Sequence, residues 1–113
     1  MKRVLVIAAD ADLRRSVQFA LEAEGYGVTC RASLAARELP RDFDCTVVDH
    51  HVLGSEQRAA SAFFEAFAPV ILLANSDSHP LSPWAAKTLL KPMLGPALSA
   101  AIRDAMASRA VPK

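Results

Sequence analysis

Along this chain, short runs of continuous apolar residues alternate with stretches in which apolar residues recur every three or four positions. Val4-Leu5-Val6-Ile7-Ala8 is β-branched and apolar throughout, as expected of a strand covered on both faces. From Leu13 the period changes: Leu13, Val17, Ala20 and Leu21 form one helical face, and Arg14, Arg15, Gln18 and Glu22 the other. Asp10 or Asp12 can cap that helix, and Gly25 ends it. A second strand is predicted over 27–30 and a brief helix over 33–39, stopped by Pro40. Cys45-Thr46-Val47-Val48-Asp49 reads as a third strand with a carboxylate at its end. Ala60, Phe63, Phe64 and Phe67 recur at helical spacing and are expected in the core. Pro69 opens a fourth strand, Val70-Ile71-Leu72-Leu73-Ala74, and 75–83 is a polar, proline-bearing loop. Thr88-Leu89-Leu90 is a fifth strand closed by Lys91-Pro92. Leu94, Leu98, Ile102 and Met106 give a last helix with Pro96 in its first turn and a frayed tail after Ser108.

Strands alternating with helices imply an α/β fold, a doubly wound parallel sheet, in one domain over 1–108 with a tail at 109–113. Such sheets place function beyond the carboxyl ends of their strands. Asp10, Asp49, Asn75 and Lys91 all fall at or just after strand ends, so one rim collects residues far apart in sequence.

Composition narrows the class. The 113 residues are 52% hydrophobic and 22% charged, which favours a packed core over disorder. The net charge is +1 without a basic tract, so no nucleic-acid surface is expected; Lys2-Arg3 and Arg14-Arg15 read as solvated element ends. No apolar stretch approaches the roughly 20 residues that span a bilayer. Asp10 and Asp12 end the first apolar run too early for a signal peptide, and a cytoplasmic protein is expected. Cys30 and Cys45 are too few for a disulfide framework and read as two buried thiols.

Taken together, these landmarks resemble the response-regulator receiver domain of two-component systems over nearly the whole chain. The likeness is carried by Val4-Leu5-Val6-Ile7 followed by Asp10 and Leu13-Arg14, and by Gly25-Tyr26 before the second strand. It continues with Phe43-Asp44 before the strand ending in Asp49, Pro69-Val70-Ile71 opening the fourth strand and Lys91-Pro92 closing the fifth. The resemblance implies a five-stranded sheet of order 2-1-3-4-5, the flavodoxin-like receiver fold, with a shortened or missing helix between the fourth and fifth strands. It also implies that Asp49 matches the aspartate that accepts a phosphoryl group from a histidine kinase. In the family two acidic residues after the first strand help hold Mg²⁺, a Ser or Thr ending the fourth strand binds phosphoryl oxygens, and the lysine matching Lys91 neutralises charge.

Here Ala8 and Ala9 fall at the acidic pair, Ala74 at the Ser/Thr position and Thr88 where an aromatic residue is usual. Leu53 replaces the customary proline in the loop that begins His50-His51. Mg²⁺ demands oxygen ligands in octahedral array, so no metal is expected, Asp10 and Asp49 being only weak candidates. Asp49 is free to pair with Lys91. His50 and His51, adjacent on a loop, are expected to diverge, without a third ligand for a metal; His51 is a pH-sensitive partner for Asp49 or a solvated loop residue. Pro83 and Trp84 are expected to pack the shortened loop onto the sheet, an exposed Trp84 marking instead a binding surface.

The leading expectation is therefore a degenerate pseudo-receiver, a signalling and interaction module rather than an enzyme, working without phosphorylation and without a cofactor. Its partners would be proteins, a histidine kinase or an output protein. A homodimer stays open, although the face through which receivers often pair is remodelled. The first alternative is a phosphorelay receiver that accepts phosphate on Asp49, with Mg²⁺ held by Asp10 in place of the lost pair. The second is a small hydrolase with Asp49 as nucleophile and His51 as base.

Overall fold

The computed structural model describes residues 2–32, 43–52, 57–67, 69–75, 81–91 and 95–110. Five strands, β1 (Arg3–Ile7), β2 (Gly27–Arg31), β3 (Cys45–Asp49), β4 (Val70–Ala74) and β5 (Lys87–Leu90), form one parallel sheet of order β2-β1-β3-β4-β5. Three α-helices occur among the described residues: α1 (Ala11–Ala23), α2 (Gln57–Ala66) and α3 (Gly95–Ala110). The helix expected over 33–39, Leu53 and Leu94 lie outside the described residues. Between β4 and β5 the described residues hold a single 3₁₀ turn, Ser82–Trp84. No helix among the described residues is long and apolar enough to cross a membrane.

Both faces of the sheet are covered, which explains the unbroken apolar runs. Alternation sends Val4, Val6, Cys45, Val47, Ile71 and Leu73 into one layer, against Val17 and Leu21 of α1 and Leu98, Ala101 and Ile102 of α3. Leu5, Ile7, Val48, Val70, Leu72 and Ala74 face the other way, where Phe64 is buried and Phe63 and Phe67 stack at 4.4 Å between ring centroids. Every residue of β3 and β4 is buried, whereas β2 and β5, the sheet edges, are half-buried or exposed. That edge position corrects the reading of Cys30 as a buried thiol: it is half-buried on β2, while Cys45 on β3 is buried.

Local chemistry sets the element ends. Asp10 caps α1, its side chain accepting the Asp12 N–H at 2.9 Å. At the other end Gly25 takes φ 93°, which lets its N–H reach Glu22 O and the Tyr26 N–H reach Leu21 O, the paired bonds of a Schellman cap. Opposite the rim, the Asp44 carboxylate accepts the Arg3 N–H at 2.8 Å and holds the starts of β1 and β3 together. Thr46 donates to Phe67 O at 3.2 Å, tying the end of α2 to β3.

Three details differ from the pattern reading. β5 begins at Lys87 because that residue sits on an edge, where a lysine loses no hydration yet still pairs with Ile71. α3 stays helical to Ala110, two residues past the expected fraying point at Ser108; alanine is the strongest helix former. Trp84 does not pack the loop onto the sheet: it is 39% exposed, and buried Leu81 anchors that segment instead.

Burial predicts opposite responses at two phenylalanines. Phe64→Ala should lower unfolding free energy by about 3–5 kcal/mol, because its ring is wholly buried. Phe19→Ala, at a residue 76% exposed on α1, should stay within about 0.5 kcal/mol. Urea denaturation of both variants measures the contrast.

Candidate functional site

Register brings the candidate residues to one rim. Ile7 pairs with Val48, so Ala8 comes level with Asp49; Asp49 pairs with Leu73, and Ala74 with Leu90. Lys91 then donates its backbone N–H to Ala74 O at 2.9 Å. Ala8, Asp49, Ala74 and Lys91 converge because parallel strands all end on the same side of the sheet.

The Asp49 side chain has no exposure to solvent, and a carboxylate so removed from water needs strong partners. Lys91 Nζ donates to Asp49 Oδ1 at 2.5 Å, and His51 Nδ1 lies 3.0 Å from Oδ2. Burial by itself raises the Asp49 pKa, but the Lys91 ammonium and the His51 imidazole outweigh it and hold the carboxyl below its ordinary value. A carboxylate only accepts, so the His51 contact is a hydrogen bond in the tautomer with its proton on Nδ1. Lys91 Nζ also stands 3.4 Å from that same nitrogen. Carboxylate, ammonium and imidazole thus meet at one point.

Other rim residues depart from expectation. Ala8 and Ala9 bring methyl groups, not oxygen ligands, to the end of β1. Asp10, which the phosphorelay alternative needs inside the site, is exposed and its Oδ1 is engaged in capping α1. Arg14 is not a solvated helix residue: its Nη1 turns back and donates to Ala8 O at 2.7 Å, with Ala9 O at 3.4 Å. Sequence reasoning missed it, although one signal was available. Its N–H bonds Asp10 O in the first turn of α1, from where a long side chain reaches back to the end of β1. Thr88 lies half-buried within β5.

The two histidines also correct the sequence reading. They do not diverge, because they open a tight 3₁₀ turn, His50–Val52, directly after β3. Their ring centroids are 4.0 Å apart with planes inclined by 35°. Ligating atoms of Asp49, His50 and His51 all lie within 4.8 Å of one another.

A five-stranded parallel sheet in this order, with an aspartate ending β3 and a lysine following β5, is the arrangement of the receiver fold. No protein-family model matches the sequence. The chain is 40% identical over 96 residues to the transcriptional regulator protein FixT of Rhizobium meliloti (strain 1021), covering 83% of this chain and 84% of that protein. The chain therefore belongs to the family of receiver-fold regulators that includes FixT.

Solved structures agree on the fold. The non-phosphorylated HemR receiver domain from Leptospira biflexa superposes with a TM-score of 0.77 at 15% identity, covering 100% of this chain and 98% of that one. The receiver domain of sensor histidine kinase PA1611 from Pseudomonas aeruginosa PAO1, with magnesium coordinated in its active-site cleft, gives a TM-score of 0.75 at 17% identity over 94% and 98%.

The buried pair sets two expectations for stability. Lys91→Ala, which strands the Asp49 charge, should cost about 3–5 kcal/mol at neutral pH in urea denaturation. Because the folded carboxyl titrates below its ordinary value of 3.8, the stability it contributes is complete above that value and is lost as pH falls through the folded one. The stability difference between the parent and Asp49→Asn should therefore shrink as denaturation is repeated at progressively lower pH beneath that value.

Proposed function

We propose that this chain is a non-enzymatic cytoplasmic receiver that signals through protein contacts rather than through phosphorylation of Asp49. The observation that carries this reading is the occupied carboxylate: Asp49 already has the Lys91 ammonium at 2.5 Å, and the adjoining backbone carries Ala8, Ala9 and the Arg14 guanidinium.

Charge and ligand chemistry support it. Mg²⁺ takes near-ideal octahedral oxygen ligation and is commonly held by one or two carboxylates with waters. With Asp10 engaged in capping α1 and methyl groups at Ala8 and Ala9, this rim does not fit that requirement. Phosphoryl transfer depends on positioning and charge stabilisation, much of it supplied by the metal. Ala74 offers no hydroxyl to a phosphoryl oxygen, so the usual link from the acceptor to the output face is missing too. Use of Asp49 as a hydrolytic nucleophile is disfavoured because both its oxygens are engaged, one by Lys91 and the other by His51.

The partner is a protein of the same signalling pathway, a histidine kinase or an output protein. Exposed apolar side chains support such contacts: Phe19 on α1, and Trp84 and Leu90 near the β5 edge, are 76%, 39% and 49% exposed.

Incubation with acetyl phosphate and millimolar Mg²⁺, followed by intact-mass and peptide mass spectrometry, tests the proposal. The expected result is an unmodified chain. A phosphoryl adduct on Asp49 would favour the phosphorelay alternative and overturn this reading.

A further inference from the structure

We propose that Asp49, His50 and His51 form a binding site for a borderline divalent transition-metal ion, exemplified by Zn²⁺, which enters by displacing the Lys91 ammonium. The inference is independent of whether Asp49 ever accepts a phosphoryl group, since it rests on the imidazoles that follow β3.

The donor set selects the metal class. One carboxylate oxygen and two imidazole nitrogens suit Zn²⁺, Co²⁺, Ni²⁺ or Cu²⁺, whereas Mg²⁺ prefers oxygen alone. Spacing supports the choice. Two ligands each about 2.0–2.1 Å from one ion stand roughly 2.8–3.0 Å apart in octahedral and about 3.3–3.4 Å apart in tetrahedral geometry. Asp49 Oδ2 and His51 Nδ1 are 3.0 Å apart and so already span one edge of such a polyhedron. His50, half-buried, packs its ring against His51 at 4.0 Å, and the ligating atoms of all three residues fall within 4.8 Å. Ligation by His50 requires its ring to move toward that edge, and a fourth position is left to water or to a donor from a partner.

A cation already stands at this junction. Lys91 Nζ is 2.5 Å from Asp49 Oδ1 and 3.4 Å from His51 Nδ1, at the end of a flexible stem whose side chain is 17% exposed. A divalent ion can replace that single positive charge while the ammonium swings into water, so the buried carboxylate keeps a counter-charge throughout. His51 is 60% exposed at its side chain, so its neutral ring can exchange the Nδ1 proton for one on Nε2 through solvent and free Nδ1 to ligate. Metal binding at this point would uncouple β5 from β3 at the rim, giving the domain a ligand-controlled change where other receivers use phosphate.

The test titrates the full chain with Zn²⁺ by calorimetry and with Co²⁺ by visible absorption. One site is expected, with His51→Gln and His50→Gln each weakening Zn²⁺ at least about tenfold, the lower bound for losing even an outer-shell partner. His51 is exposed enough that its substitution leaves the fold intact. Zn²⁺ should also raise the rate at which Lys91 is labelled by an amine-reactive reagent, read by mass spectrometry. Absence of binding at millimolar metal, or unchanged affinity in both histidine variants, overturns the site. Unchanged Lys91 labelling on saturation overturns the displacement.

Discussion

The rim is organised by one buried ion pair, Lys91 with Asp49. The two residues do not sit on neighbouring strands: β4 lies between β3 and β5. Strands stand about 4.8 Å apart, so the lysine must bridge roughly twice that distance across the end of β4. Its backbone N–H is fixed to Ala74 O at the end of β4, from where the side chain reaches Asp49.

Stability and function reside in different parts of this molecule. The packed layers against α1 and α3 on one side and α2 on the other account for the fold, and they tolerate wide sequence change because they need volume and apolarity more than identity. The rim needs particular atoms at particular places. Ala8 and Ala9 bring no side-chain oxygen ligand to the end of β1. Arg14 adds fixed positive charge to that edge, its guanidinium bound to Ala8 O.

What the sequence revealed follows from which forces are local or periodic. The interiors of β1, β3 and β4 were legible because strands buried on both faces must be continuously apolar, and Asp49 and Lys91 were legible because each ends such a run. Cys30 and Lys87 were misjudged because burial at a sheet edge depends on strand order, which no single segment reports. Arg14 and the paired histidines were missed for another reason. Their contacts depend on the direction of a long side chain from a first helical turn and on a one-turn 3₁₀ bend, and neither leaves a periodic trace. Trp84 was placed inside because aromatic bulk usually is, yet the buried apolar residue of that segment is Leu81.

The edge position of β2 has a chemical corollary for Cys30. Partial burial pushes its thiol pKa up, an effect that nearby Arg14 and Arg31 only partly oppose. Thiolate, the form that attacks peroxide and that exchanges with disulfides, is therefore scarce at neutral pH. A half-exposed sulfur along the flank of the sheet is thereby held mainly in its less reactive thiol form.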